Sequence, residues 1–476
     1  MQIISYELKD WEYREPEVYV DENGELQVRY IGELKQIGPI TLLYRVGFDE
    51  SDKVVHSEPL EAVNNYLMYQ KIHHDAKCVS VASRALKHYF TFLADENVTR
   101  RENGLPELLW NEMPVRENQR PTYRYRQCLK DCYKSQDPDV HLARTTCNAY
   151  LNRVVDFYKH YLRHGFHFGH EPFQYEFVRV NIQNDHTSMQ ASRHIEVHTT
   201  DLRLKLPKDR RKRPNPLTAL APYQWNALDN ILRVSRKVLT KRNGQLILGR
   251  FPEEVSWILL VMRWTGLRRQ EVLSLRAGLI FKPNARQLHQ GYVEIDIGPS
   301  VGVETKFGKY RTVEMPSQLM AELYGYLQST RYIKRRDKYR LTLTDQQRQT
   351  GGDHLFLSGS GVPFALTTLN ARWSDIRRTL AHPKLGLGEP FEHKSHNLRS
   401  TYAVERFIGL LDKGVDEGKA FRFVQNYLGH EKEDTTRHYM SQARDRIDGK
   451  CSPQEVWENV IDHHFGQGIF ALGGNG

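Results

Sequence analysis

Two stretches in the first half of the chain carry apolar residues at the three- and four-residue spacing of an amphipathic helix. They are SVASRALKHYFTFLADEN, from residue 80, and RTTCNAYLNRVVDFYKHYLRHG, from residue 144. The face opposite the apolar positions is basic and rich in hydroxyl groups in both. Upstream of them, ELQVRYIGEL and ITLLYRVGFDE alternate like two short strands. The pattern predicts a helical domain over residues 56–204, preceded over residues 1–55 by a β-containing appendage whose role the pattern leaves open.

The second half of the chain mixes helical and strand patterns. WILLVMRWTGLRRQEVLSLR predicts an apolar helix that is broken at Thr265-Gly266, with a second helix from near Arg268. GYVEIDIG alternates as a strand, VETKFGKYRTVEMP predicts a hairpin with the sequence KFGK at its tip, and HLFLSGSGVPF predicts a further strand and turn. SHNLRSTYAVERF predicts a helix that carries His396 and Arg399 on one face.

Basic residues outnumber acidic ones in this chain. It has 68 Lys and Arg against 58 Asp and Glu, a net charge of +10 over 476 residues, which favours nucleic acid as a partner ahead of an anionic membrane. KLPKDRRKR, followed by PNP, has no apolar period and predicts an exposed basic linker over residues 205–216. This linker is either a solvated tether or lies close to DNA. A second basic run, which contains Lys334, Arg335 and Arg336, is likewise either a solvated face or a DNA contact. The candidate DNA contacts are Lys205, Lys208, Arg210, Arg211, Lys212, Arg213, Lys334, Arg335 and Arg336.

Signals for a membrane or a metal are weak. No segment approaches the roughly 18 consecutive apolar residues of a membrane span, and MQIISYELKDWEYREPE carries acids where a signal peptide has a basic and then an apolar run. The five scattered cysteines favour reduced thiols over a disulfide framework. Cys128, Cys132 and His141 lack the fourth ligand and the spacing of a zinc finger. We expect a soluble, cytoplasmic, nucleoid-associated bacterial protein that uses no metal or other cofactor.

Five short motifs follow one another in the second half: TGLRRQE, TKFGK, HNLR, LGH and TTRHYM. In this order and approximate spacing, the chain resembles the tyrosine recombinase family, the phage-integrase-like DNA strand-exchange enzymes. The resemblance covers residues 217 to 445 well, residues 60 to 200 more loosely, and leaves out residues 1–55. For that appendage, arm-type DNA binding and protein contact are both open. It implies a multidomain, mainly α fold with a helical, SAM-like core-binding domain (56–204), the basic linker (205–216) and a catalytic domain with a small antiparallel β-sheet (217–450). A tail follows (451–476), and residues 331–353 resemble an insertion.

The resemblance implies that the catalytic residues are Arg268, Lys306, His396, Arg399, His430 and Tyr439. A tyrosine that cuts a phosphodiester needs an activated phenol, neutralised phosphate oxygens and a protonated leaving sugar oxygen. Arg268 and Arg399 offer planar forks matched to phosphate oxygens, and His430 adds a hydrogen bond. Lys306 is the expected general acid and His396 the expected proton acceptor.

Glu271 lies one helical turn from Arg268 and is expected to hold it. Arg269, Lys309 and His393 are neighbouring rivals for three of these roles. As alternative nucleophiles Tyr402 and Tyr427 are less favoured, since we expect both to be core residues. The guanidinium charges make a metal unnecessary, and the phosphotyrosine bond conserves the energy of the broken ester, so no ATP is needed.

Three functions are open at this point. The first is a site-specific recombinase or integrase that acts on double-stranded DNA as a homo-tetramer through a 3′-phosphotyrosine and a Holliday junction, for a mobile element and with possible accessory DNA-bending proteins. The second is a monomeric enzyme like a type IB topoisomerase, and the third is a catalytically silent DNA-binding protein. The intact set of catalytic residues and the separate helical domain favour the first. In the tail, Val456, Trp457, Val460 and Ile461 form an apolar stripe that docks on a neighbouring protomer or on its own domain.

Overall fold

The structure, a computed structural model, describes residues 2–8, 11–51, 53–74, 76, 78–182, 193–207, 218–343, 352–431 and 433–448. The chain divides into two compact units, Met1–Arg211 and Lys212–Gly476, and the division falls inside the predicted basic linker. Most of the linker and the whole apolar stripe of the tail lie outside the described residues. The architecture is mainly helical with small antiparallel sheets, which confirms the predicted fold class.

The first unit begins with strands, continues with helices and closes with a two-stranded ribbon. Its elements are β1 (Gln2–Leu8), β2 (Glu12–Val20), β3 (Leu26–Gln36), β4 (Ile40–Phe48), β5 (Val54–Pro59), α1 (Glu61–Ile72), α2 (Ser80–Glu102), α3 (Pro121–Lys134), α4 (Arg144–Arg163), β6 (Tyr175–Ile182) and β7 (Arg193–Thr200). One antiparallel sheet has the order β1-β4-β5, while β2 pairs with β3 and β6 with β7. Both helices predicted from the apolar spacing are present, as α2 and α4.

The three-stranded sheet shares one hydrophobic core with the helices. Ile3 and Leu43 from the sheet are buried in the same cluster as Leu86 of α2 and Val154 of α4. Asn64 of α1 fixes the sheet edge, because its side chain accepts from Leu43 N at 2.8 Å and donates to Leu43 O at 3.0 Å. Residues on both sides of the predicted boundary at residue 55 therefore contribute to one core. A sheet this small cannot bury its apolar face alone, and it uses the helices as its cover.

The second unit is built around a buried central helix, α6 (Glu253–Thr265). Its elements are α5 (Pro222–Asp229), β8 (Lys237–Arg242), β9 (Gln245–Arg250), α6 (Glu253–Thr265), α7 (Arg269–Leu273), α8 (Ala285–Gln290), β10 (Tyr292–Ile297), β11 (Arg311–Pro316), α9 (Ser317–Gln328), α10 (Thr330–Leu341), α11 (Leu366–Ala381), α12 (Asn397–Asp412), α13 (Glu417–Leu428) and α14 (Glu433–Asp448). From Glu254 to its last residue, α6 is buried on every side, as an all-round apolar helix should be. Its one basic side chain, Arg263, lies between the rings of Trp225 and Trp264 and pairs with Glu405 of α12. This pairing ties α6 to the helix that follows HNLR.

Two local predictions in this unit are wrong. VETKFGKYRTVEMP does not form a hairpin of its own, because β11 pairs with β10 and the lysines lie in the long connection between them. Pro299 follows directly after Gly298 and ends β10 early. HLFLSGSGVPF forms only isolated bridges, Arg276 to His354 and Leu357 to Pro363, and no strand. The basic run that begins at Arg331 lies on α10.

Neither a metal site nor a membrane span emerges among the described residues. Cys128 Sγ and Cys132 Sγ lie 4.0 Å apart, and His141 Nδ1 is 3.2 Å from Ser135 O. Across the part of the chain that the structure describes, no three His, Cys, Asp or Glu side chains gather as metal ligands would. None of the described helices combines the length and the apolar character that crossing a bilayer demands.

Candidate active site

All six residues predicted to be catalytic line one cleft of the second unit. The cleft has a volume of about 660 Å³, and its walls come from the start of α7, the β10–β11 connection, the start of α12, and the loop between α13 and α14 with α14 itself. The other lining residues are Arg269, Gln270, Phe307, Lys309, Arg311, Leu366, Gly429, Glu431 and Thr435. Elements that are far apart in the sequence thus converge on one strongly basic cavity.

The first arginine is placed by the break in the apolar helix. Gly266 ends α6 with φ +65°, a left-handed conformation that favours glycine, and Arg268 is the N-cap of α7. A Cβ at Gly266 would lie 2.5 Å from the ring of Tyr402, so the position is also sterically closed to a side chain. The Thr265-Gly266 break was predicted correctly, and it directs Arg268 into the cleft.

Glu271 holds two arginines at once. Its carboxylate accepts from Arg268 N at 2.7 Å and from Arg268 Nη1 at 2.9 Å. It also accepts from Arg311 Nη1 at 3.0 Å and Nη2 at 2.6 Å. Burial alone would raise the pKa of Glu271, but the hydrogen bonds and charge of Arg311, with the backbone of Arg268, lower it to about 2. The carboxylate is therefore ionised at neutral pH and fixes both guanidinium groups.

Arg399 is the most deeply buried charge in the cleft, at 1% exposure. It donates from Nη1 to Gly266 O at 2.5 Å and from Nη2 to Leu428 O at 2.6 Å. Nη2 also lies 3.0 Å from His430 Nε2. Burial, followed by the charge of Arg268, lowers the pKa of Arg399 to about 9. Its partners here are carbonyl dipoles, and no carboxylate of the described residues contacts it to cancel its positive charge.

These contacts fix the tautomer of His430. A guanidinium can only donate, so Nε2 accepts from Arg399 and the ring proton is on Nδ1, where Thr436 Oγ1 at 2.9 Å accepts it. Burial, together with Arg399 and Arg268, lowers the pKa of His430 to about 3. The imidazole is therefore neutral at physiological pH. Thr436 is itself fully buried, which leaves the hydroxyl little freedom to turn away.

His396 is the N-cap residue of α12, three residues before Arg399. Burial is the main cause that lowers its pKa to about 4, and the charges of Arg399, Arg269 and Arg268 act in the same direction. A neutral imidazole has a free lone pair and can accept a proton. Its rival His393 is engaged elsewhere, because His393 Nε2 lies 3.0 Å from Gln224 Oε1.

Two lysines reach the cleft from the β10–β11 connection. Lys306 is exposed, and its ammonium group lies 4.9 Å from the ring centroid of Phe307. Phe307 has φ +63°, a region that non-glycine residues rarely enter, and 74% of it is exposed. Lys309 forms an ion pair with Glu431, the residue after His430. Among the residues that the structure describes, only Lys309 of the two lysines is held by a carboxylate of the opposite wall.

Tyr439 lies on α14, fully buried, with its ring centroid 5.8 Å from that of His430. Among the described residues its hydroxyl has no hydrogen-bond partner. The rival tyrosines both have one, since Tyr402 donates to Glu314 at 2.8 Å and Tyr427 to Glu294 at 2.5 Å. Burial and these carboxylates raise the pKa of both rivals, which makes them poorer nucleophiles.

The comparison with family models agrees with this geometry. Residues 237–446 match the model of the phage integrase family, and this range contains the whole cleft. This segment is a phage integrase domain. The motifs from which the resemblance was predicted, TGLRRQE to TTRHYM, all lie within this domain. A comparison with curated proteins found no match.

Several solved structures are similar to this chain at low identity. A Tn1549 transposon integrase in complex with transposon right end DNA has 12% identity and a TM-score of 0.43, and the match covers 82% of this chain and 99% of that one. XerA recombinase has 18% identity and a TM-score of 0.29, with 82% and 98% covered. A lambda integrase dimer bound to a COC′ core site has 13% identity and a TM-score of 0.33, with 89% and 93% covered.

Sequence reasoning missed two contributors to the phage integrase domain's cleft. Arg311 lies at the start of β11 and grips Glu271 with both terminal nitrogens, and Thr436 orients His430. A basic residue that opens a strand next to KFGK was the available signal for Arg311. For Thr436, in a run of two threonines before the tyrosine, the sequence carried no signal that separated it from Thr435.

The candidate DNA contacts outside the cleft differ in their exposure and in their ion pairs. Lys205 and Lys334 are exposed, and Arg336 donates to Asp337 at 2.9 Å. Arg335 differs from them, because its guanidinium lies 2.7 Å from the buried carboxylate of Glu254 and donates to a backbone carbonyl at 2.6 Å. Those bonds hold α10 to the core, so a phosphate contact by Arg335 is disfavoured. The remaining candidates, Lys208, Arg210, Arg211, Lys212 and Arg213, lie outside the described residues.

Proposed function

We propose that this phage integrase domain cuts and rejoins DNA at specific sites, with Tyr439 as the nucleophile. The observation that carries the proposal is the convergence of Tyr439 with Arg268 and Arg399 in one cleft, beside two neutral histidines. In the cleavage step the phenolic oxygen attacks phosphorus, the bond to the 5′-oxygen breaks, and a 3′-phosphotyrosine forms. Attack by the 5′-hydroxyl of a second strand reverses the step, so that the ester count stays constant and no ATP is consumed.

The charge of the cleft matches this reaction. Arg268, Arg311 and Arg399 bring three positive charges, and Glu271 removes one of them. Two positive charges therefore face the substrate, and the five-coordinate phosphorus that forms during attack carries two negative charges on its non-bridging oxygens. Donors that are fixed before the reaction stabilise such a transition state without further reorganisation. We assign Arg268 and Arg399 to the two oxygens and Arg311 to the support of Glu271.

Two proton transfers complete the step. His396 accepts the phenolic proton, for which its neutral imidazole is suited at physiological pH. The leaving 5′-oxygen takes a proton from Lys306, whose ammonium group is exposed. Lys309 is less suited to this role, because its ammonium group pairs with Glu431. When a phosphate oxygen displaces Nη2 of Arg399 from His430, Nε2 faces the anion and takes up a proton from solvent. His430 can then donate from Nε2 to the phosphate.

We further propose that the substrate is double-stranded DNA that carries recombination sites, and that four copies act on two paired sites through a Holliday junction. A mobile genetic element is the proposed context, with accessory DNA-bending proteins as possible partners. A single copy that relaxes supercoiled DNA and never exchanges strands between sites would instead indicate the topoisomerase-like alternative.

The test is covalent trapping on a DNA site nicked next to the cleavage position. Wild-type protein should remain bound to the 3′-phosphate in a denaturing gel. Tyr439→Phe should bind DNA with unchanged affinity and give no adduct, because it loses only one hydroxyl. Tyr427→Phe is the matched control and should give the adduct normally. An adduct that persists in Tyr439→Phe, and maps to Tyr402 or Tyr427, would show that the assignment of the nucleophile is wrong.

A further inference from the structure

Strands β2 and β3 form a two-stranded ribbon, Glu12–Gln36, which we call the acidic ribbon. Every residue of β3 is exposed, and so are most residues of β2. An isolated two-stranded ribbon is marginally stable in water, because it has no second layer to cover its side chains. The ribbon therefore exposes a large apolar surface that a partner could cover.

The register shows that the acidic ribbon is two-faced. Pro16 pairs with Tyr30, Val18 with Val28 and Val20 with Leu26, so these six side chains lie on the same face. The five other than Pro16 are between 55% and 75% exposed. The opposite face includes the ion pair of Glu17 with Arg29 and the cation–π contact of Arg29 with Tyr19. One face is thus suited to solvent and the other to a partner.

Charge narrows the choice of partner. Between Glu12 and Gln36 there are seven acidic and three basic residues, a net charge of −4 in a chain whose total is +10. An acidic surface repels DNA phosphates, so of the two roles predicted for the N-terminal strands, protein contact is favoured over DNA binding. The partner should carry positive charge and its own exposed apolar side chains.

The second unit carries such a surface on β8 and β9, Lys237–Arg250, which we call the basic ribbon. It contains four basic residues and no acid, a net charge of +4. Three successive side chains on β9, Leu246, Ile247 and Leu248, are 46% to 55% exposed. β9 is the outer strand, because on its other side β8 is bonded to α11 through Leu239 N and Thr379 Oγ1 at 2.8 Å. Exposed aliphatic side chains on an edge strand are a typical site of strand-to-strand association.

We propose that the acidic ribbon of one copy docks on the basic ribbon of a second copy. The two surfaces have opposite charges of equal size, and each presents aliphatic side chains that the other can cover. Two different surfaces of the same chain generate a head-to-tail contact, which can close into a ring of several copies. The docking is independent of the cleft chemistry, so the failure of one proposal can be told from the failure of the other.

The direct test is photo-crosslinking of the full chain with p-benzoylphenylalanine in place of Tyr30. The expected product has the mass of two chains, and its crosslinked peptide comes from residues 245–250. A crosslink within a single chain, a crosslink to DNA, or a product of two chains joined elsewhere would each overturn the proposal. Tyr19 on the opposite face, replaced in the same way, is the matched control and should give little of this product.

Substitutions test the energetics of the contact. Val18→Thr with Val28→Thr keeps the shape and the strand preference of both residues, so the ribbon should remain folded. Self-association, measured by sedimentation of the full chain, should weaken about tenfold or more, because two buried methyl groups are replaced by hydroxyls. Covalent trapping of a single copy on a nicked DNA site should be unchanged. An unaltered association constant would refute the assigned surface.

Charge reversal gives a second, independent readout. Glu22→Lys with Glu25→Lys in the acidic ribbon, or Lys241→Glu with Arg242→Glu in the basic ribbon, should each weaken self-association. A mixture of the two reversed proteins should associate again, because the charges are then complementary between copies. If the mixture associates no better than either protein alone, the pairing of these two ribbons is wrong.

Discussion

Replacement of Glu271 by Gln should destabilise the phage integrase domain before any DNA is present. The substitution keeps the size and planarity of the side chain but removes a carboxylate that contacts both Arg268 and Arg311. The new amide nitrogen is a donor, and it would face a guanidinium that is also a donor. Two partly buried cationic groups would then lose the carboxylate that holds them.

The structure gives the magnitude in two ways. A fall in the pKa of Glu271 from 4.5 to about 2 corresponds to about 3 kcal/mol in the free energy of unfolding. Loss of one partner from a buried ion pair typically costs about 3 to 5 kcal/mol, and Glu271 is only 1% exposed. Because the two values agree, we expect a loss of about 3 kcal/mol at pH 7, or roughly 6 to 12 °C in Tm for a domain of this size.

The assay is thermal unfolding followed by tryptophan fluorescence, at several pH values. The pKa of Glu271 is lower in the folded state, so its stabilisation is complete above about pH 4.5 and disappears as the pH falls toward 2. The difference between wild type and Glu271→Gln should shrink over the same interval. Glu304→Gln is the control, because Glu304 is exposed and accepts only from Gln270 at 2.8 Å. A difference at pH 7 below about 0.5 kcal/mol, the size of ordinary surface effects, would refute the reasoning.

Three further substitutions probe the parts of the cleft separately. Gly266→Ala should lower the free energy of unfolding in urea by about 2 to 4 kcal/mol and abolish covalent trapping. The new Cβ would lie 2.5 Å from the Tyr402 ring and displace the carbonyl that accepts from Arg399. Gly278→Ala is the control and should change neither result appreciably, because a Cβ there meets nothing within 4 Å. Thr436→Val should slow cleavage about tenfold or more by freeing the cleft imidazole to change its tautomer, and Thr436→Ser should restore the rate in single-turnover measurements. Lys306→Ala should not cleave a normal site, but it should cleave a site in which sulfur replaces the leaving 5′-oxygen, because a thiolate departs without a proton. If the sulfur site rescues Lys309→Ala and not Lys306→Ala, Lys309 is the general acid.

The sequence was most informative where one short segment determines both the structure and the chemistry. The Thr265-Gly266 break could be predicted because a single glycine ends one helix and Arg268 begins the next, and all the relevant contacts are local. The same holds for His396 and Arg399, which are three residues apart at the start of one helix. For such segments, periodicity and chain breakers are sufficient information.

Prediction failed where the decisive contacts are distant in the sequence. Arg311 contacts Glu271 across 40 residues and the carbonyl of Tyr427 across 116, and its place at the start of a strand does not by itself indicate either partner. The packing of the N-terminal strands could not be predicted for the same reason. Their alternation predicted strands correctly, but only the folded chain shows that β1 and β4 pack on the helices while β2 and β3 remain exposed.

The uncancelled positive charge of the cleft leads us to expect that bound DNA raises the stability of the phage integrase domain. Arg399 is buried against two carbonyl groups and a neutral histidine, and the positive charge that it brings is not cancelled by any carboxylate it contacts among the described residues. Glu271 offsets the charge of one of its two arginine partners, so the cleft retains an electrostatic strain that a bound phosphate relieves. Ligands that bind only the folded state stabilise it by mass action. Under the proposed function, DNA binding should therefore stabilise the phage integrase domain.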